Sequence, residues 1–184
     1  MRQSAYTAGM RRITMRDFHW LGKPRTYKKD HQMVSLEVAG QTCLPSGPLL
    51  LAVSDEYFRC EATVSIPKKG GFAGMCIYHL DSCYAAAGLA SDALEVQTCI
   101  SGFTNRSSFV ISAEAETAIW TVKRDAQGLS LGYRFAQEEE IRWVSDIHLP
   151  GCELSISFGP YFTNAGEATY TASMHALRYT KQEA

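Results

Sequence analysis

The stretch Ala118-Ile-Trp-Thr-Val-Lys-Arg-Asp-Ala-Gln-Gly-Leu-Ser-Leu-Gly-Tyr-Arg-Phe135 decides the fold class of this chain. Apolar and polar side chains alternate on both sides of its centre, which is the spacing of a strand with one buried face. The centre itself, Asp125-Ala-Gln-Gly128, has the residue types that favour a tight turn. Two alternating runs joined by such a turn predict a β-hairpin of antiparallel strands.

The same two-residue period recurs along most of the chain, and no long segment keeps the spacing of a helix. The predicted strands outside this hairpin are Met33–Val38, Arg59–Ile66, Ala73–Leu80, Leu94–Ile100, Phe109–Ala113, Ile141–Val144, Leu154–Phe158 and Thr169–Tyr179. The predicted turns are Gly70-Gly71, Ser101-Gly102, Gln137–Glu140 and Gly159-Pro160. Many short strands separated by turns predict an all-β fold, an antiparallel sandwich or barrel.

Length and composition restrict the number of domains and the class of partner. The 184 residues include 46% hydrophobic and 20% charged side chains, which suits one globular domain with its own core. We predict a single domain over residues 17–180, a flexible leader over residues 1–16 and a frayed tail over residues 181–184. The net charge of −1 argues against nucleic acid as a partner. No apolar run approaches the ~20 residues of a membrane helix, which argues against a membrane.

The six cysteines are too scattered to predict a disulfide framework or a metal centre. Most lie in apolar strand-like runs, where a free thiol behaves as a small buried hydrophobe, and the arginine-rich N-terminus lacks the apolar core of a secretion signal. The nearest candidate for a metal site is Cys76, His79 and Cys83, but residues three apart on one strand point to opposite faces. The sequence therefore predicts free thiols, no metal, no cofactor and a cytoplasmic location.

Several segments resemble a known family of β-sandwich domains. Asp17–Pro24 is similar to its opening W-x-x-x-P pattern, Ala73–Gly88 to its A-G-L-x-V-x-x-D-x-x-x-W-x-K-A-G segment, and Leu94–Ser107 to the next strand and a G-F-S-D-W-S loop. The family is the concanavalin A-like domain of the regulation-of-enolase type. The C-terminal domains of β-xylosidases are similar too, down to the closing segment Met174–Tyr179. The resemblance implies a concanavalin A-like jelly roll of two antiparallel sheets, with a sugar on the concave sheet as in lectins of that fold.

The alternation also predicts a polar face that could hold such a ligand. If the strands are neighbours in one sheet, as the resemblance implies, this face is lined by Tyr78, Tyr84, Glu95, Gln97, Lys123 and Arg134. Trp143 is a candidate either for the core or for the groove rim. His175, in the last strand, is a candidate for the groove, although a hydrogen-bonded sheet residue is the more common role for such a histidine. A sugar ring would stack on Tyr84, and the amide, carboxylate and cationic groups would bond its hydroxyls. The same alternation is also typical of an ordinary solvated sheet face.

Catalysis has less support in the sequence than binding. Glycoside hydrolysis needs two carboxyl groups, about 5.5 Å apart in retaining enzymes or about 6.5–9.5 Å apart in inverting ones. Glu95 lies in the middle of a predicted strand without a second acid beside it. We therefore predict non-catalytic binding of a carbohydrate or another small polar metabolite. The alternatives are a protein-interaction module or homodimer without a small-molecule site, and a glycoside hydrolase or its accessory domain.

Overall fold

The computed structural model of the protein describes residues 12–112, 115–151 and 155–183, which form two antiparallel seven-stranded sheets. The strands are β1 (His19–Leu21), β2 (Tyr27–Lys29), β3 (Met33–Val38), β4 (Leu49–Ser54), β5 (Phe58–Ser65), β6 (Ala73–Leu80), β7 (Cys83–Leu89), β8 (Ala93–Ile100), β9 (Phe103–Val110), β10 (Thr117–Asp125), β11 (Gly128–Arg134), β12 (Arg142–Ile147), β13 (Ile156–Phe162) and β14 (Tyr170–Lys181). Sheet 1 has the order β1-β4-β13-β6-β7-β8-β9, and sheet 2 has the order β12-β11-β10-β5-β14-β3-β2. The predicted all-β sandwich of two antiparallel sheets is confirmed.

Alternating sequences form strands here because one face of each sheet packs on the other sheet. β5 alternates strictly between buried and half-buried residues along its whole length. β10 and β11 form the predicted hairpin, with Asp125 paired to Gly128 across the turn. β3 and β6 begin and end at the predicted residues. The two-residue period therefore determines which side chains face the core.

The prediction fails where a strand has no clean alternation. The sequence pattern misses β4, because Leu49–Ser54 begins with an unbroken apolar run that is buried on both faces. β9 begins at Phe103 rather than Phe109, and its residues are all exposed, so no buried period marks it. Gly159-Pro160 lies inside β13 instead of in a turn. Gly70-Gly71 links β5 of sheet 2 to β6 of sheet 1 and does not close a hairpin.

The core between the sheets contains a group of stacked aromatic rings. Phe158 of β13 stacks on Phe58 of β5 with ring centroids 4.5 Å apart, and Phe18 meets Phe158 edge-on at 6.0 Å. Further along sheet 2, the fully buried Trp120 packs on Tyr133 at 5.3 Å. Since β13 and β5 are interior strands of their sheets, the ring contacts hold the two sheets together away from their edges.

Residues on either side of the predicted domain, which spans residues 17–180, also contact the sandwich. Ile13 and Met15, which fall in the predicted leader, are buried in the core. Lys181, which falls in the predicted tail, ends β14 and pairs with Glu56 at 2.7 Å. Residues 1–11 of the predicted leader lie outside the described residues.

Thiols and possible metal ligands are dispersed through the sandwich. Among the described cysteines, Cys43 is an exposed free thiol and Cys60, Cys76, Cys83 and Cys99 are buried free thiols. Cys152 lies outside the described residues. No group of three or more His, Cys, Asp or Glu side chains in the described ranges could hold a metal ion. In the same ranges, no helix has the length and hydropathy needed to cross a bilayer.

Candidate functional site

The predicted ligand-binding residues fall on two opposite faces of the sandwich. The outer face of sheet 1 carries Tyr78, Tyr84, Glu95 and Gln97, and the outer face of sheet 2 carries Lys123, Arg134, Trp143 and His175. The prediction that Lys123 and Arg134 share a face with the first group is wrong, because β10 and β11 belong to sheet 2. Alternation distinguishes the two faces of one strand, but it does not reveal which sheet the strand enters.

The outer face of sheet 1 is a packed surface and not a solvated one. Small residues lie side by side at its centre, with Gly74 paired to Gly88 and Cys76 paired to Ala86. A second apolar cluster occupies this face and consists of Leu44, Leu49, Leu51, Cys76, Tyr84, Ala86, Cys99 and Tyr161. Because the central strands carry small side chains, a large side chain from a flanking strand can extend over them.

Tyr161 extends from β13 across the two glycines toward Glu95. It pairs with Gly74, which pairs with Gly88, which in turn pairs with Glu95. A Cβ atom at Gly88 would lie 2.9 Å from Tyr161 Cζ and would overlap Oη, so the phenol rests on Gly88. Oη is buried without a hydrogen-bond partner in the described part of the chain. Burial, followed by the nearby charge of Glu95, raises the pKa of Tyr161 well above its usual value.

A chain of polar contacts connects Tyr84 to Glu95. Gln97 donates through Nε2 to the Tyr84 hydroxyl at 2.5 Å, and Arg106 of β9 donates to Gln97 Oε1 at 3.2 Å. The Arg106 guanidinium also lies 3.4 Å from Glu95 Oε2. Tyr84 is only 2% exposed, so its ring offers no open face on which a sugar could stack. In the structure Tyr84 orients Gln97 instead.

Glu95 is a buried carboxyl beside the guanidinium of Arg106. It is 6% exposed. Burial raises the pKa of Glu95, while the charge of Arg106 acts in the opposite direction. Desolvation disfavours the charged form, so this carboxyl keeps its proton to a higher pH than an exposed glutamate does.

Glu95→Gln is expected to gain stability relative to the wild type as the pH rises above the usual pKa range of an exposed glutamate. Because the folded-state pKa of Glu95 is raised, the native protein binds more protons than the unfolded chain between the two pKa values. The wild-type free energy of unfolding therefore falls as the pH rises through that window, whereas glutamine does not titrate. Urea unfolding at each pH measures the difference. A variant that instead loses stability against the wild type with rising pH would contradict the direction of the pKa shift.

A cavity of about 430 Å³ opens beside Glu95 and Arg106. Its lining consists of Gln41, Thr42, Cys43, Phe72, Glu95, Arg106, Thr163, Asn164 and Ala165. The two loop segments in this lining are joined by a pair of backbone hydrogen bonds, 2.8 and 3.0 Å long. The Thr42 hydroxyl is buried and has no partner among the described residues. The cavity has the ~300–1,000 Å³ size of a small-molecule site and offers a carboxyl, a guanidinium, a hydroxyl and an aromatic ring.

This arrangement suits binding better than bond cleavage. The described lining contains one carboxyl group, Glu95, whereas glycoside hydrolysis by the usual route needs two. Asn164 is not available to a ligand, because its amide nitrogen donates to the carbonyls of Val38 and Ala168 at 3.1 and 2.8 Å. Its amide oxygen accepts from Gly166 N at 2.9 Å. Asn164 therefore holds the cavity wall in place.

Sequence reasoning misses Thr42, Phe72 and Arg106. The first two lie in connections without periodicity, so no pattern marks them. Arg106 could be found from the turn Ser101-Gly102, whose two residues both have positive φ, 52° and 83°. A two-residue turn of this kind fixes the register of the hairpin, and that register sets Gln97 opposite Arg106. The resemblance instead assigns this segment to a loop, which conceals the pairing.

The remaining predicted residues lie away from this cavity. Three of them contact near neighbours: Tyr78 donates to Asp81 at 2.6 Å, Lys123 pairs with Asp125, and Arg134 donates to the carbonyl of Glu138 at 3.1 Å. His175 lines a different cavity, of about 820 Å³, beside the first described residues. Trp143 is exposed on the outer face of sheet 2. The structure thus brings Tyr84, Glu95 and Gln97 together and separates the others from them.

Comparison with known proteins adds information on the fold. No protein-family profile and no curated protein matches the sequence. A functionally unknown protein from Saccharomyces cerevisiae has a similar structure, with a TM-score of 0.80 and 15% identity over 94% of this chain and 100% of that one. The GH43 protein BlXynB from Bacillus licheniformis gives a TM-score of 0.72 and 13% identity over 90% of this chain and 37% of its own. Xylan β-1,4-xylosidase from Bacillus halodurans C-125 gives 0.68 and 14%, over 90% and 39%.

The matches to the two Bacillus proteins are partial, and the sequence identity is low in all three comparisons. The chain spans less than two fifths of the length of the two Bacillus proteins. At 13–15% identity, the similarity concerns the fold and not the activity. The chain therefore shares its β-sandwich with the whole of the yeast protein and with part of each of the two Bacillus proteins.

Proposed function

We propose that the cavity beside Glu95 and Arg106 binds a small carbohydrate or a related polyol without catalysis. The observation that supports this most directly is the buried hydroxyl of Thr42, which lines the cavity and has no partner among the described residues. Since buried polar groups are nearly always hydrogen-bonded, an unpartnered hydroxyl beside a cavity favours a ligand or ordered water that satisfies it.

The other lining groups match the chemistry of a polyol. Glu95 can accept hydrogen bonds, and the Arg106 guanidinium can donate several from one plane. Arg106 is already held by Gln97 and Glu95, so little side-chain freedom is lost when a ligand binds. Phe72 supplies an aromatic surface against which the apolar face of a sugar ring can pack.

The resemblance in the sequence supports the same role. We also propose that the chain belongs to the regulation-of-enolase type of concanavalin A-like domain and that the protein is located in the cytoplasm. The names of the two Bacillus structures concern xylosidase and GH43 proteins, which fits a sugar-related ligand here. The single carboxyl group in the described cavity lining favours binding over hydrolysis.

An interaction module or homodimer is the second candidate function. β9 is an edge strand of sheet 1, and Phe103, Phe109 and Val110 on it are exposed. Edge strands with apolar side chains present unpaired backbone groups to other chains. A mass that rises with protein concentration, without any effect of small molecules on stability, would favour this function.

Thermal unfolding with D-xylose, L-arabinose, D-glucose and myo-inositol tests the proposal. A probe at about 100 times its Kd should stabilise the protein by about 2.7 kcal/mol, a rise in Tm of several degrees. Arg106→Ala is expected to remove the rise, because a guanidinium contact to the ligand is lost. Lys123→Ala on sheet 2 is the control and should keep it. A flat response to every probe, or a full response in Arg106→Ala, would contradict the proposal.

A further inference from the structure

Trp143 lies at a β-bulge on the outer face of sheet 2. It belongs to β12, the edge strand of that sheet, and pairs with Gly132 of β11. The pairing shifts between Leu131 and Gly132, since Leu131 pairs with Ser145 and β12 therefore has one extra residue there. Bulges at sheet edges change the direction of a side chain. Here the indole of Trp143 lies at the bulge, over Gly132 of the neighbouring strand.

Gly132 provides the space in which the indole lies. A Cβ atom at Gly132 would be 2.9 Å from Trp143 Cε3 and 2.6 Å from Ile141 Cγ2, so no larger residue fits without displacing them. Trp143 nevertheless remains 47% exposed. An indole that is packed against a glycine on one side and open on the other is a stacking platform fixed in orientation.

Polar side chains continue from this platform across the sheet. Gly132 pairs with Thr121, Thr121 with Glu61, and Glu61 with Arg178 on β14. At about 4.8 Å between strands, this row extends roughly 19 Å from Trp143. Glu61 is held by Arg59 at 2.7 Å and accepts from Thr121 Oγ1 at 3.4 Å. Thr121 is fully buried, so the planar polar groups that the row offers begin at Glu61, three strands or roughly 14 Å from the indole.

We propose that the outer face of sheet 2 binds a glycan chain, with one sugar ring stacked on Trp143 and further hydroxyls bonded by Glu61, Arg59 and Arg178. A chain of sugar rings has the flat apolar faces that suit an indole and the hydroxyls that suit planar carboxylate and guanidinium groups. The cations Arg59 and Lys123 on this face are paired with Glu61 and Asp125, so the charges of these two side chains are compensated. This site is independent of the cavity at Glu95.

Affinity electrophoresis in gels with soluble xylan, arabinan, mixed-linkage β-glucan or starch tests this site. At least one polysaccharide should retard the wild type, and Trp143→Ala should bind it about tenfold more weakly. Trp143→Phe should retain part of the affinity, because it keeps a smaller ring. Phe103→Ala is the matched control: Phe103 is an aromatic residue, 84% exposed, on sheet 1, and its removal should change nothing.

Each result supports or overturns the inference. Absence of retardation in all four gels overturns it, as does full retardation of Trp143→Ala. An equal loss in Phe103→Ala also overturns it, because it indicates non-specific adhesion of exposed rings. Arg106→Ala should keep the retardation while losing the response to monosaccharides, which separates failure of this site from failure of the cavity. Trp143→Ala should unfold at the wild-type temperature within about 2 °C, since the side chain is half-exposed.

Discussion

Replacing Asn164 with alanine is expected to lower the free energy of unfolding by about 3 kcal/mol and the Tm by roughly 10 °C. Asn164 is fully buried, and its amide bonds the backbone of Val38, Ala168 and Gly166. Alanine leaves the carbonyls of Val38 and Ala168 without the Asn164 amide, whereas Gly166 N–H keeps its 3.2 Å bond to the carbonyl of Gly70. Each buried group that loses its partner costs about 1–3 kcal/mol. The total is below the sum because water can reach part of the loop.

Asn105→Ala provides the matched control for this substitution. Asn105 lies on β9 and is exposed, so its replacement should change stability by no more than about 0.5 kcal/mol. Urea unfolding of both variants gives the comparison. Asn164→Ala should also weaken any probe that binds the cavity, since Asn164 holds the 163–165 wall beside residue 42. Equal stability of the two variants would show that the three hydrogen bonds of Asn164 do not stabilise the fold.

Gly88→Ala is expected to destabilise the protein by about 1–3 kcal/mol through overpacking. The added methyl group would overlap Tyr161 Oη and lie 2.9 Å from Cζ, and both residues belong to the packed outer face of sheet 1. Tyr161 cannot easily yield, because it is fully buried. Thermal unfolding of the variant against the wild type measures the loss.

Tyr161→Phe tests the cause of that loss. By itself it should be neutral or slightly stabilising, because the hydroxyl that it removes is buried and has no partner among the described residues. In combination with Gly88→Ala it should recover part of the lost stability, since the nearest overlapping atom is gone. Additive effects of the two changes would mean that the methyl group does not meet the phenol.

The sequence predicts the fold class well because the sandwich depends on local alternation. In β5 and in the β10–β11 hairpin, every second side chain faces the core, so apolar residues recur at every second position of the sequence. β4 shows no such alternation because it is buried on both faces. β9 shows none because both of its faces are exposed. A two-residue period marks strands with one solvated and one buried face. β6, most of which is buried on both faces, is predicted from its apolar run instead.

The candidate site is predicted only in part, because it depends on contacts between distant segments. Glu95 and Gln97 alternate on β8, so their common face is visible in the sequence. Tyr161 belongs to a strand more than sixty residues from Glu95 and extends toward it over two glycines. No local sequence pattern predicts a contact between segments so far apart. The wrong grouping of Lys123 with this face has the same origin, since sheet membership is a property of the whole topology.

The positions of β13 and β14 affect how the chain can fold. β13 lies between β4 and β6 in sheet 1, and β14 lies between β5 and β3 in sheet 2, so residues 156–181 complete the middle of both sheets. During synthesis, the preceding 150 or so residues emerge with two pairs of open strand edges that nothing local can close. Such pairings give a high contact order, and folding of this topology takes milliseconds to seconds. Until residues 156–181 are available to fill these gaps, the chain exposes unpaired strand edges that can pair with other chains.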